Sequence, residues 1–234
     1  MIDPSRLGVG VIGAGKVGPV IAAALAGAGH SLVGITPPGT DRERVEAMLP
    51  GVPFLEPQVL CERSELVVLA LPDSELPGFI EGLAAAGGWV SGQIVAHTSI
   101  KHGLEVLAPA IVQGVIPIGL HPLMEFTGWS MDLPRMVGAW CVVSAPPVAS
   151  PIAHALAVEM GMEPLVIADD KRRHVAAAIA LATSFSHTTV GEAAARLRLA
   201  GIANPGVVMA ALVNSSVDNA LRDVAGNDVE HSEP

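Results

Sequence analysis

Tyrosine is absent from the sequence, and aromatic side chains are scarce altogether, with four Phe and three Trp among 234 residues. Any chemistry that draws a proton from a tyrosine hydroxyl is therefore excluded. Cysteine is almost as rare. Cys61 and Cys141 stand far apart with no CxxC pair, which argues against a disulfide framework or a cysteine-based zinc site and fits a reducing cytoplasm. Positive charge is also in short supply. Lys and Arg number 13 against 23 Asp and Glu, a net charge of −10, so no basic field exists to hold a nucleic-acid backbone or an anionic membrane. Long apolar runs are missing too: none approaches the roughly 18–20 residues that cross a bilayer. Arg6 ahead of an Ala-rich stretch imitates a signal peptide, but Lys16 and interspersed glycines interrupt it. What the chain does have is 50% apolar residues, which excludes disorder. Its length suits one large domain, or an ordinary domain with a smaller companion.

Strand and helix signals alternate along most of the sequence. Leu7 to Ile12 reads as a buried strand, and Val17, Ile21, Leu25 and Ala28 recur at helical spacing before Gly29 as a C-terminal cap. A second strand spans 31–35, and a polar helix runs from about Asp41 to Met48. The run 65–71 is too short and too β-branched for a helix and is closed by Pro72-Asp73, so it reads as a central parallel strand. A helix from about Glu75 to Ala86 follows, then strand-like runs at 93–98, 114–118 and 139–144, a helix over 151–160 and a last run at 164–167. This alternation predicts an α/β fold with a Rossmann-type doubly wound, mostly parallel sheet over residues 1–168. Strand signals then stop. Asp170 can cap an Ala-rich helix from Lys171 to about Leu199, and Asn204-Pro205 opens another to about Asp223. Residues 169–226 thus read as a small all-α domain, and 227–234 as a frayed acidic tail. Two helices bury little alone, so Val207, Val208, Met209, Leu212 and Val213 should pack on the first domain or on a second copy, predicting a homodimer through the C-terminal helices.

Gly13, Gly15 and Gly18 form GxGxxG between a strand and a helix at the first crossover. The first glycine permits the tight turn, the second lets backbone approach a pyrophosphate, and the third lets helix and strand pack closely, while the helix N-terminus offers N–H groups to the anion. In an NAD site the second strand usually ends on a carboxylate for the ribose 2′-hydroxyl. Here that place is near Thr36, and Pro37-Pro-Gly-Thr-Asp-Arg42-Glu-Arg44 follows, so hydroxyls and guanidinium groups stand where a 2′-phosphate would lie. Asp41 could still serve NAD, but the pattern favours NADP. Beyond this motif, Ala70-Leu-Pro-Asp-Ser74, His97-Thr-Ser99 and the stretch Gly119 to Thr127 each follow or end a strand, delivering polar groups to one sheet edge, where ligands of open α/β sheets bind.

Taken together, GAGKVG, LALPDSEL, VAHTS and LHPLMEFTG resemble the Rossmann-like NAD(P) oxidoreductases that carry a C-terminal domain of unknown function of the DUF2520 type. These are similar to pyrroline-carboxylate reductase, ketopantoate reductase and the 6-phosphogluconate dehydrogenase superfamily. The resemblance covers most of residues 7–221 and departs at Ile100, where relatives usually have glycine. It implies a nicotinamide cofactor, usually NADP, along Gly13, Ala14, Gly15, Lys16, Val17 and Gly18. Thr36 and Arg42 would lie at the adenosine ribose, and Ala70, Leu71, Pro72, Asp73 and Thr98 beside the nicotinamide ribose. The implied reaction is hydride transfer to or from a small C=O or C=N substrate, a 2-oxo acid or cyclic imine, with no metal. Without tyrosine, the short-chain dehydrogenase and aldo-keto reductase mechanisms fall away. His121, Ser99 and His187 become the candidates for proton transfer, with Lys171 and Ser184 behind them. The alternative reading is a non-catalytic NADP-binding sensor or scaffold with a shortened helical domain.

Overall fold

In the computed structural model, which describes residues 6–39 and 41–230, seven strands form one sheet. The chain opens with β1 (Gly8–Ile12), α1 (Gly18–Gly27) and β2 (Ser31–Ile35), followed by α2 (Arg42–Met48), α3 (Pro57–Arg63) and β3 (Leu66–Leu69). Next come α4 (Leu76–Ala85), β4 (Ile94–His97), a 3-10 turn at Leu104–Leu107, α5 (Ala108–Ile111) and β5 (Ile116–Pro122). The sheet is completed by α6 (Asp132–Met136), β6 (Trp140–Ser144), α7 (Ser150–Glu159) and β7 (Glu163–Val166). Strand order is β2-β1-β3-β4-β5-β6-β7, parallel throughout except between β5 and β6.

Both faces of the sheet are covered, which explains the continuous apolar strands. Val9, Val11, Val68, Ala96, Ile118 and Val143 point to one side, under Ile21 and Leu25 of α1 and Leu156 of α7. Val67, Leu69 and Val95 point to the other, under Leu60 of α3 and Leu76 and Ile80 of α4. All four residues of β3 are buried, so each of its Leu and Val side chains contributes about 1.5–3 kcal/mol of burial. The reversal between β5 and β6 lengthens β5 beyond the apolar run that marks it in the sequence. The 114–118 run does not stop at Ile118. It continues to Pro122 because the antiparallel β6 takes up its backbone, pairing His121 with Val142 and Gly119 with Ser144.

A 3-10 turn at Asp169–Lys171 leads into α8 (Arg172–Leu199), and α9 (Pro205–Glu230) follows. The chain divides into two compact units, the second beginning at Ala177. Arg172 at the first turn of α8 remains in the first unit, where it is bonded to Asp169 and Ser144. In the second unit, α9 runs past Asp223 and through Gly226 to Glu230, since one glycine costs a helix only about 1 kcal/mol. Residues 231–234 of the acidic tail and 1–5 of the N-terminus lie outside the described residues. Among the described residues no helix is long and apolar enough to cross a membrane.

Candidate functional site

The three motif glycines have distinct surroundings. Gly13 follows β1 with φ +112°, and a side chain there would collide with the Ala70 carbonyl at the end of β3. A side chain on Gly18 would strike the Gly13 carbonyl, so loop and helix close on each other there. Gly15 alone faces open space. The loop is latched from β2, because the Gly13 N–H donates to Thr36 Oγ1 at 2.9 Å. Thr36 therefore holds the turn in shape, and its hydroxyl hydrogen stays free to donate.

Beside Gly15 lies a cavity of about 310 Å³ lined by Ala14, Pro37, Pro38, Gly39, Asp41 and Arg44. The guanidinium at this cavity belongs to Arg44, which is buried. It donates from Nε to Asp41 at 2.5 Å, from Nη1 to the Gly128 carbonyl at 2.9 Å, and from Nη2 to the Ala14 and Gly15 carbonyls at 3.2 Å each. Arg42 points elsewhere: it is exposed, paired with Glu46 at 2.8 Å, and lies 4.5 Å above the Phe54 ring. The Gly128 backbone is itself fixed by the fully buried Asp132, whose carboxylate accepts from the Thr127 and Gly128 N–H groups at 2.8 Å each. A side chain at Gly128, φ +85°, would press on Arg44 and on the Lys16 backbone. The stretch following β5 thus rests directly on the glycine-rich loop.

The C-terminal ends of β3 and β4 sit next to this loop. Ala70 N–H donates to Ile12 at 2.8 Å, and Thr98 N–H to Leu69 at 3.1 Å. Leu71 and Pro72 lead to Asp73, whose carboxylate pairs with Lys101 at 3.4 Å and whose carbonyl accepts from His102 Nε2 at 3.0 Å. Ser99 is buried, with its hydroxyl accepting from the His102 N–H at 3.2 Å. His121 lies within β5, and its Nδ1 is 2.5 Å from the Thr98 carbonyl. A carbonyl only accepts, so Nδ1 carries the hydrogen and the neutral ring presents Nε2 as an acceptor. Burial lowers the His121 pKa, opposed by the Thr98 carbonyl and the Asp73 charge.

The structure thus brings Gly13 to Gly18, Thr36, Ala70 to Asp73, Thr98, Ser99 and His121 to one edge of the first unit. His187 and Ser184 lie on α8 in the second unit, Ser184 bonding back to the Leu181 carbonyl at 3.3 Å. Lys171 pairs with Asp170 at 3.2 Å. Both cysteines are buried, with thiols pushed up to about 12 by that burial, which leaves them protonated and unreactive at neutral pH. The sequence marks Arg44 only beside Arg42, as a guanidinium near the end of the second strand, and Arg172 only as a charge in the first turn of a long helix, while His102 and Asp132 carry no signal in it.

The residues present fit a dinucleotide: a loop whose middle glycine is uncovered, a helix N-terminus behind it, and a cavity with a guanidinium at the ribose end. Residues 1–122 match the family model of the Rossmann-like domain, and residues 139–227 match that of a domain of unknown function, DUF2520. No curated protein matches the sequence. Among solved structures, a Bacteroides fragilis protein assigned as an NADP oxidoreductase superposes with TM-score 0.76 at 15% identity, over 92% of this chain and 80% of that one. An imine reductase from Pseudomonas sp. gives 0.66 at 16% identity, covering 97% and 79%. The pyrroline carboxylate reductase of Plasmodium falciparum, with NADP bound, gives 0.66 at 9% identity, covering 94% and 79%. At these identities the likeness establishes the fold.

Proposed function

The chain belongs to the Rossmann-like domain family, and from that premise we propose that it is an NADP-dependent oxidoreductase acting on a small C=N substrate. The observation that carries the reading is the glycine-rich crossover, where Gly13 and Gly18 are closed against backbone while Gly15 is left uncovered beside a cavity. The backbone of Gly13 to Gly18 would hold the pyrophosphate, Ala70 to Asp73 and Thr98 would flank the nicotinamide ribose, and Arg44 would meet the 2′-phosphate. When bound, the nicotinamide supplies or takes up hydride. The neighbours described as NADP oxidoreductase and NADP-bound reductase support NADP over NAD.

His121 favours C=N over C=O. Reduction of a ketone needs a proton donor at the developing oxyanion, whereas a protonated imine already carries its proton, takes up hydride to give the neutral amine, and needs only a hydrogen-bond acceptor to orient its N–H. Neutral His121, fixed by Thr98, offers an acceptor at Nε2. The proposed partner of the chain is a second copy. Leu181 and Phe185 on α8 and Val208, Leu212, Leu221 and Val224 on α9 are all exposed at roughly helical spacing, and light scattering after size-exclusion chromatography should return a dimer mass. The enzymatic reading is tested by titrating NADPH and NADH, then following NADPH oxidation with cyclic imines and with 2-oxo acids. Tight NADPH binding with turnover of imines supports it, and binding without any turnover contradicts it.

A further inference from the structure

His97 ends β4 and is fully buried, and neither of its ring nitrogens meets a partner in good hydrogen-bond geometry, although the Gly103 backbone bears on the ring. An imidazole always presents polar atoms, so leaving them without a well-formed bond in the interior is unfavourable and points to a missing ligand. Gly119 of β5 faces this ring. A methyl group there would lie 3.5 Å from His97 Nε2 and 3.4 Å from Ser144 Cβ, so His97 and Ser144 converge where the sheet lacks a side chain. The Ser144 hydroxyl accepts from Arg172 Nη2, and Arg172 is 5% exposed. The carboxylate beside it, Asp169, accepts from Arg172 Nε at 2.7 Å but is 71% exposed, so water shares it and the buried guanidinium is only partly matched. These two bonds leave further guanidinium donors. Ser144 and Asp169 also line a cavity of about 260 Å³, together with Ser150, His154 and Ala168.

We propose that Arg172, Ser144 and His97 form a binding site for the carboxylate group of a small organic acid, entered from this cavity. The planar guanidinium fork matches a carboxylate, the Ser144 hydroxyl can turn to donate, and neutral His97 offers one N–H. Asp169 then moves toward solvent, where most of it already lies. A carboxylate suits the site better than a doubly charged phosphate, because Asp169 adds negative charge at the entrance. The site is separate from the cavity at Gly15 and stands whether or not the hydride-transfer reading holds.

The test uses the full chain and the imidazole resonances of its histidines. Sodium acetate and sodium pyruvate are titrated at constant ionic strength held with chloride, with acetamide as the neutral control. A saturable shift of the His97 ring resonances with both acids, and none with acetamide, is the expected result. Arg172→Met should weaken binding by at least about tenfold, Arg172→Lys should restore part of it, and Ser144→Ala should weaken it about threefold to tenfold. Thermal unfolding shows which variants are folded, and if the Arg172 variants are not, Ser144→Ala decides. Shifts that do not saturate, that chloride or acetamide reproduces, or that Ser144→Ala leaves at wild-type affinity overturn the proposal.

Discussion

Arg44 on α2 donates from Nη1 to the carbonyl of Gly128, 84 residues further along the chain, at 2.9 Å. The same guanidinium reaches the Ala14 and Gly15 carbonyls, so one buried cation ties the glycine-rich loop to the segment after β5. Asp132 fixes that segment from beneath.

Replacing this guanidinium should therefore loosen the cofactor loop as well as remove a charge. Arg44→Ala is expected to lower stability by about 1–3 kcal/mol, since buried carbonyls lose their donors, and to weaken NADPH binding by about tenfold or more. Arg42→Ala removes an exposed pair and a ring contact, and should change NADPH affinity by less than about threefold. Fluorescence titrations of both variants, with unfolding curves alongside, check the contrast. A larger loss for the Arg42 variant would return the 2′-phosphate to that residue.

The motif glycines should separate into structural and ligand-facing positions. Gly13→Ala places a side chain at φ +112° against a backbone carbonyl, so it should unfold the protein or lower its melting point strongly. Gly15→Ala meets nothing within 4 Å in the free protein and should leave the melting point nearly unchanged while weakening NADPH. Equal melting-point losses in the two would contradict this division.

Much of the fold is legible in the sequence because its strands are buried on both faces and appear as short, uninterrupted apolar runs between glycines and prolines. The glycine motif is legible for the same local reason. The extension of β5 to Pro122 is not, because it depends on pairing with the antiparallel β6, whose partner residues Cys141 to Val143 lie beyond a whole intervening helix. Arg44 is marked only together with Arg42 as a guanidinium after the second strand: nothing local separates the buried one from the solvated one, and only the distant Gly128 and Asp132 make Arg44 a buried bracket. His97 is legible as a polar group closing a strand, but its meeting with Arg172 is not, because only Gly119 and Ser144, far along the chain from it, bring the two together.

His121 should act on turnover rather than on cofactor binding. His121→Ala is expected to lower kcat by about a hundredfold or more with NADPH affinity within about twofold, and Asn, whose carbonyl can also accept, should restore part of the rate. Burial lowers this pKa, so the ring stays neutral to below pH 6.5 and the activity that depends on it should fall only in more acid solution. An unchanged kcat in the alanine variant would remove His121 from the mechanism.

His97 should make the fold acid-sensitive. Burial, aided by the Arg172 and His102 charges, pushes its pKa down to about 4 from an ordinary 6.5, while Glu105 and the Gly103 backbone oppose them. Between those values the unfolded chain takes up a proton that the folded one refuses, so stability is full above about pH 6.5 and falls as pH drops toward 4. Denaturant unfolding across that window should show a flatter profile for His97→Leu than for the wild type, and parallel profiles would contradict the assignment.

The most direct test of the enzymatic reading is a steady-state assay of NADPH oxidation by the purified chain with a cyclic imine and, in parallel, the corresponding cyclic ketone. Saturable oxidation is expected with the imine, much faster than with the ketone and lost in His121→Ala. Saturable NADPH binding with no oxidation of either compound, or preference for the ketone, would contradict the imine-reductase reading.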